Sequence, residues 1–202
     1  MLQMNRTVKF LKTGFLTASL ALITSNAFCG GTITGSIDTD LTKYKENAVV
    51  YLKDVKGVVV PQQASIDMRK MNFTPKVTAI PVGSTILFTS YDKLDHSVFS
   101  ISAAKKFRID PFNNGISKSI TFENPGVVQL LCSCHPDIVA WVIVGKNQYA
   151  ALTDHDGKFS IPNVPAGTYE IGIWSKKLTL KEKTTVTVTE GETAPVVIKT
   201  AN

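Results

Sequence analysis

The chain predicts an all-β fold of the sandwich or barrel class, and three observations predict it. Short runs that alternate apolar and polar residues recur from Gly31 almost to the end of the chain. Turn-forming clusters such as Asn124-Pro125-Gly126 and Asp154-His155-Asp156-Gly157 punctuate them, at spacings of about eight to twelve residues. Beyond the N-terminal leader, no segment keeps a helical apolar period for about a dozen residues. A length of 202 residues allows one large or two small domains.

The leader stands apart. Arg6, Lys9 and Lys12 make a positive start with no acid nearby, and Phe15 to Ile23 is mostly apolar. Ser25-Asn26-Ala27 then offers small residues where a signal peptidase inspects them. The apolar core is too short to span a bilayer. Residues 1–27 are therefore expected to be a cleaved secretory signal, leaving a periplasmic or secreted protein with no stable membrane insertion. A lipid anchor through Cys29 is the weaker reading, because the bulky Phe28 precedes it. Losing residues 1–27 removes three cations and no anion, so the formal charge falls from +6 to +3, 19 bases against 16 acids. That balance gives no argument for nucleic acid.

In chain order, Thr32 to Ile37 and Ala48 to Leu52 read as strands, separated by a polar turn region. Val58 to Pro61 reads as an edge extension, where a proline is tolerated. Ala64 to Asn72, mixed and charged, reads as a loop or weak edge strand. Strands are expected at Lys76 to Ile80, Thr85 to Ser90 and Val98 to Ile101, with an acidic loop delivering His96 between the last two. Phe107 to Asn114 reads as irregular, and Ser117 to Phe122 alternates again. Val127 to Val144, VVQLLCSCHPDIVAWVIV, reads as two apolar strands around the bend Cys132-Ser133-Cys134-His135-Pro136. Tyr149 to Thr153, Lys158 to Ile161, Thr168 to Trp174, Thr184 to Val188 and Val196 to Lys199 complete the strands, with a turn expected at Pro162 to Gly167.

The bend carries the chemistry. A thiol and an imidazole three residues apart, in a tight connection between strands, form a ligand pair that no core-packing argument requires. His96, in Leu94-Asp95-His96-Ser97-Val98, is the other candidate nearby. Three cysteines cannot all pair within one chain, even in an oxidising compartment. On one strand face, Cys132 and Cys134 would have Cβ atoms roughly 6.5 Å apart, against the roughly 3.5–4.5 Å of a disulfide. The spacing favours a free thiolate, although a sharp bend would permit the bridge. Two residues between cysteines would be needed before the histidine for covalent haem, and here there is one.

Two resemblances follow from longer motifs. Gly31-Thr32-Ile33-Thr34-Gly35 and Asn47-Ala48-Val49-Val50-Tyr51-Leu52 look like the opening of a carboxypeptidase-regulatory-like (transthyretin-like) β-sandwich. Its usual continuation, T-D-x-D-G-x-F-x-I-x-x-V-P-x-G-T-Y, matches the run from Thr153 to Tyr169. Between these halves, 61–145 resembles a cupredoxin of the amicyanin or plastocyanin kind. Phe73-Thr74-Pro75, Val82-Gly83-Ser84-Thr85-Ile86-Leu87-Phe88, His96-Ser97-Val98 and the Cys132 to Ile138 run carry that likeness. The expected organisation is a cupredoxin Greek-key sandwich at 61–145, inserted in or packed on a discontinuous sandwich of 31–60 and 146–200. The whole resembles periplasmic proteins labelled methylamine utilisation proteins.

The cupredoxin resemblance implies one copper ion held by His96, Cys132 and His135, two imidazoles and a thiolate in a trigonal plane. Its axial methionine is replaced here by Ile138, which cannot coordinate, so a three-coordinate site with a raised potential is expected. Met68 or Met71 leaning in is the less favoured rescue, since such methionines are more often core. Cys134 is an extra thiol that can pair with Cys132, replace it, or add a second sulfur. Two cysteines and a histidine also suit zinc or Cu(I) storage. His155 reads as solvated surface, Asp154 and Asp156 as turn formers, and Trp141 and Trp174 as core or rim aromatics. Lys105, Lys106 and Arg108 read as a solvated face rather than a dock for an acidic partner.

The function expected is electron transfer or copper handling with a redox partner protein, without catalysis. The alternative is a secreted interaction module whose copper site is degenerate. Thiol-redox catalysis by Cys132 and Cys134 ranks last, since no thioredoxin-like alternation of strands and helices surrounds them.

Overall fold

The computed structural model describes residues 30–201, so the expected signal segment and Cys29 lie outside the described residues. The chain begins with β1 (Gly31–Asp38) and β2 (Val49–Leu52), joined through one 3-10 turn at Thr42–Tyr44. Nine strands follow: β3 (Gln63–Arg69), β4 (Asn72–Thr74), β5 (Val77–Pro81), β6 (Ser84–Ser90), β7 (His96–Ser102), β8 (Lys105–Phe112), β9 (Ser117–Phe122), β10 (Gly126–Leu131) and β11 (Val139–Gly145). Six more complete it: β12 (Ala150–Leu152), β13 (Lys158–Val164), β14 (Gly167–Trp174), β15 (Thr179–Leu180), β16 (Thr185–Val188) and β17 (Thr193–Ala201). The fold is all-β. Among the described residues, no helix is long and apolar enough to cross a membrane.

The strands form four sheets, in the orders β13-β1-β17-β15, β12-β2-β14-β16, β5-β11-β10-β7-β8 and β4-β3-β6-β9. The nine central strands thus pair among themselves, and the first two pair with the last six. Each pair of sheets encloses its own core. In the central sandwich Ile66, Met68, Phe73, Ile86, Phe88, Phe122, Val128 and Leu130 are all at most 1% exposed. In the other, Ile33, Val50, Leu52, Ile161, Val164, Ile171 and Ile198 play that part. Burial of each such side chain is worth about 1.5–3 kcal/mol relative to exposure. The period is visible in β6, where Ser84, Ile86, Phe88 and Ser90 are buried and the residues between them are not.

The apolar run of β11 is continuous because both of its faces are covered. Ala140, Val142 and Val144 enter the central core. Ile143 and Trp141 face the second sandwich, in a cluster with Val49, Val77 and Trp174. Trp141 and Trp174 pack there with ring centroids 5.6 Å apart. The chain crosses between sandwiches twice, after β2 and before β12, and Asn147 ties the crossings together. Its buried amide donates to the carbonyls of Leu52 and Lys53, both at 2.9 Å, and its oxygen accepts from the Tyr149 N–H at 2.9 Å.

Several elements differ from the sequence expectation. The stretch 64–72 is no loop: β3 pairs in parallel with β6 and antiparallel with β4. Ile66 and Met68 point into the core there, while Ser65, Asp67 and Arg69 occupy the other face. Residues 105–112 form β8, an edge strand, where Pro111 removes no needed donor. The edge position of β13 likewise lets the strand pass through Pro162 to Val164, where a turn was expected. Val58 to Pro61 forms no strand.

Candidate metal centre

β7 and β10 are antiparallel neighbours, with Leu131 opposite Phe99. Extending that register brings the start of β7, His96, beside the residues that follow β10. Cys132 is the first of these, and His135 lies in the bend before β11. The Ser97 hydroxyl fastens the two loops: it accepts the Ser133 N–H at 2.7 Å and meets the Ser133 hydroxyl at 2.7 Å. Ser97 is wholly buried, so both bonds are shielded from water.

This brings His96, Cys132 and His135 together, with their ligand atoms all within 4.8 Å of one another. Cys132 Sγ lies 4.0 Å from His96 Nδ1 and 3.9 Å from His135 Nδ1. His96 is 0% and Cys132 3% exposed, and His135 is half-buried. A metal with M–N near 2.0 Å and M–S near 2.3 Å would separate N and S by roughly 3.8 Å in a trigonal plane and roughly 3.5 Å in a tetrahedron. The observed spacings sit nearer the trigonal value. Two imidazoles and a thiol, with no carboxylate among them, also suit copper chemistry rather than calcium or magnesium. The residues present therefore fit a copper ion.

The thiol is prepared for that role. Burial pushes Cys132 up, but hydrogen bonds to the thiolate, with the Ser97 N–H foremost, outweigh it and bring the group down to about 6. Cys132 and Cys134 are both free, the first buried and the second exposed. Cys134 is not among the gathered donors. Ile138 is 3% exposed, packs in the same apolar cluster as Cys132, and donates its N–H to the His135 carbonyl at 3.1 Å. Of the two methionines considered as donors, Met68 is buried in that cluster and Met71 is 44% exposed at a hairpin tip.

One participant was missed from the sequence. Asp92 Oδ2 lies 3.0 Å from His96 Nε2, and its carboxylate accepts the N–H groups of Lys70 and Met71, each at 2.8 Å. Burial pushes Asp92 up, while the Met71 and Lys70 amides and His96 pull harder and hold it below the usual carboxylate range. An acid four residues before the histidine was legible, but its two amide donors come from more than twenty residues upstream.

The other singled-out residues lie elsewhere. Asp154, His155 and Asp156 also cluster, but all three are exposed. Asp154 Oδ1 accepts the Asp156 and Lys158 N–H groups at 2.9 and 2.8 Å, as a turn former does. Lys105 pairs with Glu123 at 2.6 Å, and Arg108 with Asp110 at 3.3 Å. A cleft of about 410 Å³ between the sandwiches is lined by Tyr51, Lys53, Val127, Lys146 and Trp174 among others, with no histidine or cysteine.

Comparison with known proteins gives a family match over part of the chain. The family described as polysaccharide lyase family 4, domain II, matches residues 128–196. No curated protein matches the chain. Among solved structures, it is similar to a novel purple cupredoxin from Nitrosopumilus maritimus, with 31% identity over 41% of this chain and 99% of that one, at a TM-score of 0.38. It is also similar to a Cu-containing nitrite reductase from Thermus scotoductus SA-01, with 26% identity over 46% of this chain but only 25% of that one, at a TM-score of 0.39. An alanine mutant of amicyanin in the Cu(I) state shares 20% identity over 41% of this chain and 81% of its own, at a TM-score of 0.38. Each of these three matches covers less than half of this chain.

Proposed function

We propose that the chain is an exported, non-enzymatic copper protein that transfers electrons or handles copper through His96, Cys132 and His135. In this reading 61–145 is a cupredoxin-like unit, and 31–60 with 146–200 is a carboxypeptidase-regulatory-like sandwich that carries it. The observation that carries the reading is one buried thiol with two imidazole Nδ1 atoms at 3.9 and 4.0 Å, spacings suited to a trigonal ion.

Copper bound there would supply a one-electron couple. The chain's own part is to hold the donors still. Cys132, with its thiol at about 6, is largely thiolate at neutral pH and needs no separate base. The Ser97–Ser133 tie keeps the two ligand loops at one separation. Ile138, buried in the same apolar cluster as Cys132, offers no donor atom, so His96, Cys132 and His135 would be the residues that hold the ion. His135 is the half-buried member, and its edge is where a redox partner would approach.

The test is metal analysis of protein exported to the periplasm, with Cys132→Ser beside it. Wild-type protein given Cu(II) should develop an intense visible thiolate-to-copper band, absent in the variant. Failure to bind either Cu(II) or Cu(I) would overturn the reading and leave a secreted interaction module.

A further inference from the structure

The β3–β4 hairpin closes in two residues, with Arg69 paired to Asn72 across the turn. Lys70 and Met71 both have left-handed backbones, at φ 49 and 56. That is the type I′ geometry which Asn-Gly favours, and side chains such as Lys and Met rarely adopt it. The conformation aims two consecutive N–H groups at one carboxylate. The Lys70 N–H meets Asp92 Oδ1 and the Met71 N–H meets Oδ2, both at 2.8 Å. Asp92 Oδ2 also contacts His96 Nε2 at 3.0 Å.

We propose that Asp92 is a positioning residue that fixes the tautomer of His96, and that the exposed Lys70–Met71 turn fixes Asp92. The inference deepens the reading of His96 as a metal ligand and rests on it. The two amide hydrogens that Asp92 accepts favour its ionised form, and an ionised carboxylate has no proton to donate, so it accepts from the imidazole as well. His96 Nε2 therefore carries the ring proton. The lone pair is left on Nδ1, the atom 4.0 Å from Cys132 Sγ. His96 is 0% exposed, so no water competes to hold the other tautomer. A buried ligand is thereby ordered by a hairpin tip at the surface, where Met71 is 44% exposed. Outer partners of this kind set ligand orientation and metal affinity.

Histidine nitrogen NMR on the metal-free chain, with amide exchange at Lys70 and Met71, tests this directly. Wild-type His96 should be protonated at Nε2, with both turn amides protected. In Asp92→Asn the side chain can turn its NH2 toward the ring, so the Nδ1-protonated form should appear and one turn amide should exchange faster. Copper affinity should then fall by about ten- to a hundredfold. Asp92→Ser, which is shorter, should lose protection at both amides. The pair Lys70→Asn with Met71→Gly suits the turn and keeps both donors, so it should retain the wild-type tautomer. His96 still protonated only at Nε2 in both Asp92 variants, with the turn amides still protected, would overturn the proposal. A wild-type chain that binds no copper would overturn the metal reading instead, while the metal-free tautomer would still decide this one.

Discussion

Among the described residues, two groups of three side chains bring ligand atoms within 4.8 Å, His96-Cys132-His135 and Asp154-His155-Asp156. The second is contiguous in sequence, so its closeness follows from chain connectivity alone. Its members are exposed, and Asp154 is already occupied in bonding the turn's own amides. The first draws on segments 36 residues apart and buries a thiol and an imidazole almost completely. Burying polar groups carries a cost unless they are satisfied. His96 has Asp92, and Cys132 has donors from two loops. Proximity alone therefore says little about a metal site, whereas proximity assembled across the fold and sealed from water says a great deal.

The largest expected effect is on the buried group. Cys132→Ser should abolish the visible copper band, and Cys134→Ser should keep it, as read by absorbance after Cu(II) addition. A band that follows Cys134 instead would break the contrast. Next, His96→Ala should weaken copper binding much more than His155→Ala, whose affinity should match wild type by titration.

A pH measurement sharpens the comparison in the metal-free protein. Cys132 stands at about 6 when folded, against an ordinary 9.0. A group depressed on folding adds stability as pH rises through that window. Its contribution should therefore be complete above pH 9 and lost as pH falls below about 6. Urea midpoints should show this rise after other titrations are subtracted with Cys132→Ser, and an unchanged slope in that variant would refute it. Smaller still, Asp154→Ala removes the acceptor for two turn amides and should cost about 1 kcal/mol by urea unfolding. His155→Ala should change stability by less than about 0.5 kcal/mol.

Much of the fold was legible because strand period depends on residues two apart. Ser117 to Phe122 coincides with β9, and the two apolar strands around the Cys132 bend stand where their runs indicate. The reading failed where charge masked the period. In β3 the alternation of Ala64, Ile66 and Met68 was present, but the charged Asp67 and Arg69 on either side of Met68 drew it toward a loop. Pro162 suggested a turn because the sequence does not say which strand is an edge.

What the sequence determined by itself was local: all-β character, and a thiol and imidazole sharing one bend. Those follow from short spacings that any folded arrangement must respect. Tertiary structure alone decided the rest. The antiparallel register of β7 and β10 brought His96 to Cys132, and Ser97 met Ser133 through that same register. The hairpin at Lys70 and Met71 reached Asp92, and through it the imidazole. Contacts between residues far apart in the chain depend on strand order and register. No spacing along a sequence encodes those until the sheets have formed.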